Sequence, residues 1–201
     1  MSAATPPDGR HDVVVLGASG LTGRLVCGHL ADRAEATGLT WAAAGRDADR
    51  VRTALGPLVP AEVLTADVTD PASLDALARR ARVVLNLTGP YSRRAEPVVA
   101  ACVGAGTSYA DLSGETPGVR RVVERWHEPA REAGVAVVQV AGVEALPFDL
   151  AVALAADRAA ERGAALVDVD VAFSATPPPR GARALTDSVS GGTLASLVTV
   201  L

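Results

Sequence analysis

The stretch Val13-Val-Val-Leu-Gly17-Ala-Ser-Gly20-Leu-Thr-Gly23-Arg24 decides the fold. An apolar, strand-like run ends at the first glycine, and a helical pattern begins after the second. In such a unit the first glycine permits a tight turn, the second lets the backbone approach a ligand, and the third lets helix and strand pack closely. Free amides at the helix start then bind phosphate. The predicted pyrophosphate-binding residues are Gly17, Ala18, Ser19, Gly20, Leu21, Thr22 and Gly23.

The glycine spacing is GxxGxxG, which differs from the strict GxGxxG fingerprint of dinucleotide-binding turns. A glycine-rich turn in a flavodoxin-like or other doubly wound protein therefore remains an alternative at this point. The position of the turn, with several further strand–helix units behind it, favours the dinucleotide site.

Strand-like and helix-like runs alternate along the chain. Strands are predicted at 12–16, 40–44, 62–65, 82–87, 108–112 and 135–140, and helices at 21–36, 47–55, 70–81, 96–105 and 117–133. This alternation predicts the α/β class, with a doubly wound parallel sheet of the Rossmann type over residues 11–142. Residues 1–10 are polar and predict a disordered arm.

The pattern changes after Gly142. An Ala-rich helix is predicted over 146–162, and the alternation of apolar and acidic residues over 165–173 predicts a strand of an antiparallel sheet. Ser190-Gly-Gly-Thr193 then opens a last apolar helix. Residues 143–201 therefore predict the start of an α+β second domain, for substrate binding or dimerisation, that is apparently truncated.

Residues at the ends of the next strands predict which cofactor is bound. The end of the second strand reads Ala44-Gly-Arg46, and an arginine there accommodates a 2′-phosphate. Asp47 could serve NAD(H) instead, or cap the following helix. NADP(H) is therefore favoured over NAD(H). Further predicted cofactor contacts at strand ends are Asp67, which could equally cap its own turn, and Asn86, Thr88 and Gly89.

Composition excludes several classes of function. The net charge of −4 argues against nucleic acid as a partner. All 19 basic residues are arginines, so the Tyr-x-x-x-Lys pair of a short-chain dehydrogenase is excluded. Cys27 and Cys102 lie in apolar helical patterns and are predicted to be buried. No apolar run predicts a signal peptide or a transmembrane segment, which favours a cytoplasmic location.

Longer motifs carry a family resemblance. They are the glycine turn, Ala44-Gly-Arg46, Thr88-Gly-Pro-Tyr91, Gly106-Thr-Ser-Tyr-Ala-Asp111-Leu-Ser-Gly-Glu115 and Ser190-Gly-Gly-Thr193. Together they resemble the saccharopine dehydrogenase-like oxidoreductases, and within them the bacterial trans-acting enoyl reductases that work beside polyketide synthases. The resemblance implies an NADP-type Rossmann domain, a second domain that binds a small-molecule substrate, and a substrate that is carrier- or lipid-bound.

Reduction of an activated double bond needs a hydride and a proton donor. Tyr91, just beyond the fourth strand, is the candidate donor, with packing under the cofactor as its alternative role. Asp111, Ser113 and Glu115 could orient substrate, but capping of the helix that follows them is favoured. No His, Cys or carboxylate cluster has the spacing of a metal site. Other hypotheses are a non-catalytic NADP-binding sensor or scaffold, an inactive fragment, or a homodimer.

Overall fold

The computed structural model describes residues 8–172. Its strands are β1 (His11–Leu16), β2 (Trp41–Gly45), β3 (Glu62–Thr65), β4 (Ala81–Asn86), β5 (Ser108–Asp111) and β6 (Val137–Val138). Its helices are α1 (Leu21–Thr37), α2 (Ala48–Leu55), α3 (Pro71–Arg79), α4 (Tyr91–Ala105), α5 (Thr116–Ala133) and α6 (Leu146–Glu161).

The strands form one wholly parallel sheet in the order β3-β2-β1-β4-β5-β6. This is the strand order of a Rossmann sheet, and it confirms the predicted fold class. The chain begins in the middle of the sheet, runs to one edge, and returns to β4 beside β1. The order therefore reverses between β1 and β4, and ligands of open α/β sheets bind at this switch point.

The two faces of the sheet are covered by different helices because the strand side chains alternate. Val14 and Leu16 of β1 belong to a core cluster with residues of α3, α4 and α5. Val15 and Ala43 face the other way, toward buried residues of α1 and α2 such as Cys27. The small alanine side chains of β2 let the helices approach the sheet closely. A core with few aromatic side chains needs this close approach to be well packed.

Local signals define several helix ends. Asp70 accepts a hydrogen bond from the Ala72 amide (3.1 Å), and Pro71 occupies the first helical position of α3. Gly38 ends α1 in the left-handed conformation, as the sequence predicts. The predicted helix over 70–81 ends two residues early, because Ala81 already begins β4.

Two predicted elements differ more strongly from the structure. The helix expected from residue 96 begins at Tyr91, because its first amides find a cap on another loop. The strand expected over 135–140 is reduced to Val137–Val138 at the edge of the sheet. Val140 has φ +59°, a left-handed conformation that ends a strand and is rare for a β-branched residue.

Beyond Gly142 the described chain contributes no buried side chain. The apolar residues Leu146, Leu150 and Leu154 of α6 are exposed. The strand predicted over 165–173 does not form between residues 165 and 172, where no neighbouring strand supplies hydrogen bonds. Residue 173 and the helix predicted from Ser190 lie outside the described residues. The division at residue 143 remains a prediction.

Across residues 8–172, no helix combines the length and the apolar character needed to cross a membrane.

Candidate functional site

A cleft of about 260 Å³ opens at the carboxyl ends of the strands, around the switch point. The registers Leu16–Asn86, Leu16–Ala44 and Asn86–Asp111 place the ends of β1, β2, β4 and β5 level with one another. Loops from different strands therefore meet at one edge of the sheet. The cleft is lined by Leu16, Gly17, Ser19, Gly20, Gly45, Arg46, Ala66, Asp67, Val68, Thr69, Leu87, Thr88, Gly89 and Arg94.

The glycine turn has no room for side chains at two of its positions. Gly17 has φ +92°, and a Cβ on it would lie 3.0 Å from the Leu87 carbonyl oxygen. A Cβ on Gly23 would lie 2.8 Å from the Cα of Ala18 and would overlap the Gly17 carbonyl. The predicted roles of a tight turn and of close helix–strand packing therefore correspond to the structure.

Backbone donors at the start of α1 are available to a ligand. Gly20 N donates to the Gly17 carbonyl (3.0 Å), which closes the turn. Within residues 8–172 the amides of Leu21, Thr22 and Gly23 donate to no acceptor. A cradle that excludes Cβ atoms and ends in free helix amides fits the pyrophosphate of a dinucleotide. These residues would hold that part of the cofactor, whereas Ala18 is buried beneath them.

Arg46 and Asp47 take different roles at the end of β2. Arg46 lines the cleft, and its guanidinium has no hydrogen-bond or ion-pair partner in the described part of the chain. Asp47 accepts a hydrogen bond from the Arg50 amide (3.0 Å) and caps α2. Because Asp47 caps α2 and does not line the cleft, the arginine is the residue at this strand end that reaches the cleft. This arrangement fits a 2′-phosphate.

Asp67 lines the cleft and also closes its own turn. Its Oδ1 accepts hydrogen bonds from Thr69 N (2.9 Å) and from Thr69 Oγ1 (2.8 Å). These bonds hold the pKa of the Asp67 carboxyl below its ordinary value, and the guanidiniums of Arg46 and Arg94 lower it further. The turn-closing role is therefore observed, while contact with an adenine remains a prediction.

Asn86 acts beneath the cleft. It is fully buried, and its Oδ1 accepts hydrogen bonds from Thr88 N (3.0 Å) and Thr88 Oγ1 (2.6 Å). Thr88 and Gly89 line the cleft themselves. Asn86 therefore positions the loop that the sequence predicts to contact the cofactor, and it is not among the residues at the cleft surface.

A buried hydrogen-bond chain continues from Asn86 into the next two loops. Asn86 Nδ2 donates to the Tyr109 hydroxyl (3.1 Å), which donates to Asp111 Oδ2 (2.7 Å). Asp111 Oδ1 accepts from the amides of Ser113 (2.9 Å) and Val140 (3.1 Å). The Asp111 carboxyl thus connects the loops after β4, β5 and β6, a role that the sequence does not reveal.

Tyr91 lies in the first turn of α4 and is half-buried. Burial raises the pKa of its phenol above the ordinary range, and the carboxylate of Asp111 raises it further. The phenol therefore remains protonated at neutral pH, and its raised pKa makes it a weaker acid than a free phenol. Tyr91 does not belong to the residues that line the cleft, so its role as proton donor stays a prediction.

Glu115 corrects the expected capping arrangement. It precedes α5 but makes no side-chain capping bond to that helix. Its carboxylate instead accepts hydrogen bonds from Tyr91 N (2.9 Å) and Ser92 N (2.8 Å), at the start of α4. A buried carboxylate at a helix N-terminus satisfies free amides and interacts favourably with the helix dipole. Glu115 therefore fixes the position of α4 relative to the β5 loop.

Substituting Glu115→Gln should lower the free energy of unfolding by about 1–3 kcal/mol, because an amide NH₂ would face one of two buried backbone donors. Urea denaturation measures this loss. Glu124→Gln is the matched control, since Glu124 is an exposed residue of α5 paired with Arg120, and its loss should stay below about 0.5 kcal/mol. Equal losses in the two variants would contradict the capping role.

The remaining candidate residues are structural or exposed. Cys27 and Cys102 are buried, as predicted, and burial raises the pKa of the Cys27 thiol to about 11 and that of Cys102 to about 12. Neither is a thiolate at neutral pH. His127 is exposed on α5. Among residues 8–172 no three His, Cys, Asp or Glu side chains come together as metal ligands.

Comparison with protein families identifies this domain. Residues 13–138 match the family described as the saccharopine dehydrogenase NADP-binding domain. The chain belongs to this family. Membership confirms the family resemblance seen in the sequence and the assignment of NADP(H) as the cofactor of this domain.

Related proteins give a closer comparison. A Mycobacterium tuberculosis protein, provisionally named a trans-acting enoyl reductase, is 38% identical over 203 residues, covering 98% of this chain and 45% of its own length. The trans-acting enoyl reductase of Mycobacterium ulcerans is 42% identical over 156 residues, covering 76% of this chain and 37% of its own length. The present chain thus spans less than half the length of these two relatives.

A solved structure supports the fold. Apo saccharopine dehydrogenase (L-Glu forming) from Saccharomyces cerevisiae superposes with a TM-score of 0.62 at 23% identity, over 76% of this chain and 32% of that protein. At this identity the similarity establishes a shared fold.

Proposed function

We propose that the chain is the cofactor-binding part of an NADP(H)-dependent oxidoreductase that reduces an activated carbon–carbon double bond. The observation that carries the proposal is the 38–42% identity to trans-acting enoyl reductases over most of the chain. The cleft with its glycine cradle, free amides and Arg46 supports it from the structure.

The proposed chemistry divides between the cofactor and the chain. The glycine cradle, the free amides of α1 and Arg46 would hold NADPH, which would supply the hydride for the electron-poor carbon of the double bond. The neighbouring carbon then takes a proton from a general acid. We assign this role to Tyr91, which lies in the first turn of α4 between the loops after β4 and β5. Loss of the proton leaves a phenolate that solvent reprotonates.

We further propose that the substrate is a small molecule carried on a protein or lipid. We also propose that the protein is cytoplasmic. The exposed leucines of α6 are available for contact with the remainder of a longer chain or with a second copy of this one.

Arg46→Ala should weaken NADPH binding about 10- to 100-fold, because a charge-assisted contact to the 2′-phosphate contributes about 1.5–3 kcal/mol. NADH affinity should stay nearly unchanged. Fluorescence titration with both nucleotides measures the two affinities. Arg50→Ala is the control, since Arg50 has the same charge, is exposed on α2, and does not line the cleft.

A turnover assay separates the proposed enzyme from its alternatives, and the titration tests the role of Arg46. Oxidation of NADPH in the presence of an α,β-unsaturated thioester, lost in Tyr91→Phe, supports the reductase. Tight NADPH binding without turnover of such thioesters favours a sensor, a scaffold or an inactive fragment. Equal affinity of the wild-type chain for NADPH and NADH contradicts the role of Arg46.

A further inference from the structure

Arg94 is a second arginine of the cleft. It lies in the first turn of α4, is half-buried, and lines the cleft together with Arg46 and Asp67. It approaches from the β4 side of the switch point, whereas Arg46 approaches from the end of β2. The two guanidiniums therefore reach the same space from different walls.

One hydrogen bond anchors the Arg94 side chain over the cleft. Its Nη1 donates to the Gly89 carbonyl (2.9 Å), in the loop that Asn86 and Thr88 hold in place. A guanidinium carries five N–H donors. Within the described chain the remaining donors of Arg94 have no acceptor. The side chain is thus fixed in position but retains most of its hydrogen-bonding capacity for a ligand.

The cleft lining shows which strand ends share their space with Arg94: Arg46 after β2, and Asp67, Val68 and Thr69 after β3. Thr69 is the main cause of the low pKa of Asp67, but Arg46 and Arg94 both lower it as well. Both guanidiniums therefore share the cleft with one carboxylate at the end of β3, next to the end of β2. The adenosine ribose of a dinucleotide is recognised at this end of a Rossmann cleft. Two arginines and one aspartate leave a net positive charge there, which an additional phosphate would neutralise.

We propose that Arg94 is a second contact for the 2′-phosphate of NADP(H), so that the phosphate is held between Arg94 and Arg46. The inference deepens the proposed function and rests on NADP(H) as its cofactor. Arg94 then contributes to the preference for NADP(H) over NAD(H), in addition to the arginine at the end of β2.

The test compares Arg94→Met with Arg93→Met in the 201-residue chain. Methionine has nearly the helix propensity of arginine, so α4 should be little affected. Arg93 is the matched control: it is the preceding residue of the same helix, has the same charge, is exposed, and does not line the cleft. Binding of NADPH, NADH and 2′,5′-ADP is measured by calorimetry, and thermal unfolding of each variant is recorded.

Arg94→Met is expected to weaken binding of NADPH and 2′,5′-ADP about tenfold or more, the loss of one charge-assisted contact. The affinity for NADH should change little, and Arg93→Met should change the affinity for neither nucleotide. Equal losses for NADPH and NADH would overturn the inference, because Arg94 would then act on the part that both share. Unchanged NADPH binding would overturn it as well.

Arg94→Lys provides the same test if the methionine variant does not fold. Lysine keeps the charge but loses the planar fork, so a smaller loss confined to NADPH and 2′,5′-ADP is expected. A lysine variant with wild-type affinity for both would contradict the inference. Failure of the wild-type chain itself to bind NADPH would overturn the proposed function, which distinguishes that result from a failure of Arg94 alone.

Discussion

Gly23→Ala is expected to abolish measurable NADPH binding and to lower the free energy of unfolding by about 1–3 kcal/mol, the usual cost of inserting a methyl group into a closely packed site. The added Cβ would lie 2.8 Å from the Cα of Ala18 and would overlap the Gly17 carbonyl. These are backbone atoms that cannot rotate away. The turn must therefore shift, and the free amides at the start of α1 shift with it.

The expected loss of NADPH affinity is about 100-fold or more, since displacement of several charge-assisted donors costs about 3 kcal/mol or more. Gly28→Ala is the matched control, because Gly28 lies in the same helix and a Cβ there meets no atom within 4 Å. That variant should keep its affinity and gain up to about 1 kcal/mol of stability. If Gly23→Ala is as stable and binds as tightly as Gly28→Ala, close packing at Gly23 is not required for the site.

Much of the fold is predictable because its signals are local. The glycine turn, the Asp70-Pro71 helix start and the strand–helix alternation each depend on a few neighbouring residues. Parallel strands present their carboxyl ends at one edge of the sheet. For this reason the sequence alone predicts that Arg46 and Thr88 lie at the same cleft. The observed lining of the cleft agrees with this placement.

The parts that sequence reasoning missed depend on contacts between distant residues. The start of α4 at Tyr91 is set by Glu115, which is 24 residues away, and no local pattern shows that a glutamate caps another helix. The local pattern predicts that the helix begins only at residue 96, which leaves Arg94 in a loop without a predicted place in the cleft. A helix beginning directly after the Gly89-Pro90 turn would have placed Arg94 in its first turn, at the edge of the sheet where ligands bind.

The partners of Asp111 in the buried hydrogen-bond chain are also contacts that no local sequence pattern shows. The sequence places it at the end of β5, yet its partners come from Tyr109 on the strand itself and from the loops at Ser113 and Val140. The bond to the Val140 amide and the bond from Ala141 N to the Asp111 carbonyl (2.8 Å) hold the chain where Val140 adopts a left-handed conformation. Such a conformation costs a β-branched residue about 1–3 kcal/mol and persists only where surrounding contacts impose it.

Burial raises the pKa of the Asp111 carboxyl, and its hydrogen bonds from Tyr109, Ser113 and Val140 oppose this rise. The folded protein therefore retains the Asp111 proton at pH values where the unfolded chain has already lost it. The stability that Asp111 contributes is largest below its unfolded pKa of about 3.9 and decreases as the pH rises through the higher folded value. Asp111→Asn removes this titration. As the pH rises through that window, the free energy of unfolding of the wild type should therefore fall relative to that of the variant.

Asp111→Ala should lower the free energy of unfolding at neutral pH by about 3 kcal/mol or more, because it leaves the Tyr109 hydroxyl, the buried Ser113 amide and the half-buried Val140 amide without an acceptor. Asp111→Asn should lose less, since one oxygen remains to accept from Ser113 and Val140. Asp32→Ala, at an exposed position of α1 without a polar partner in the described chain, should stay within about 0.5 kcal/mol of wild type. Urea denaturation between pH 3 and 8 measures all three. If Asp111→Ala is no less stable than Asp32→Ala, the carboxyl does not hold the three loops together, and the order of the cleft must come from the sheet alone.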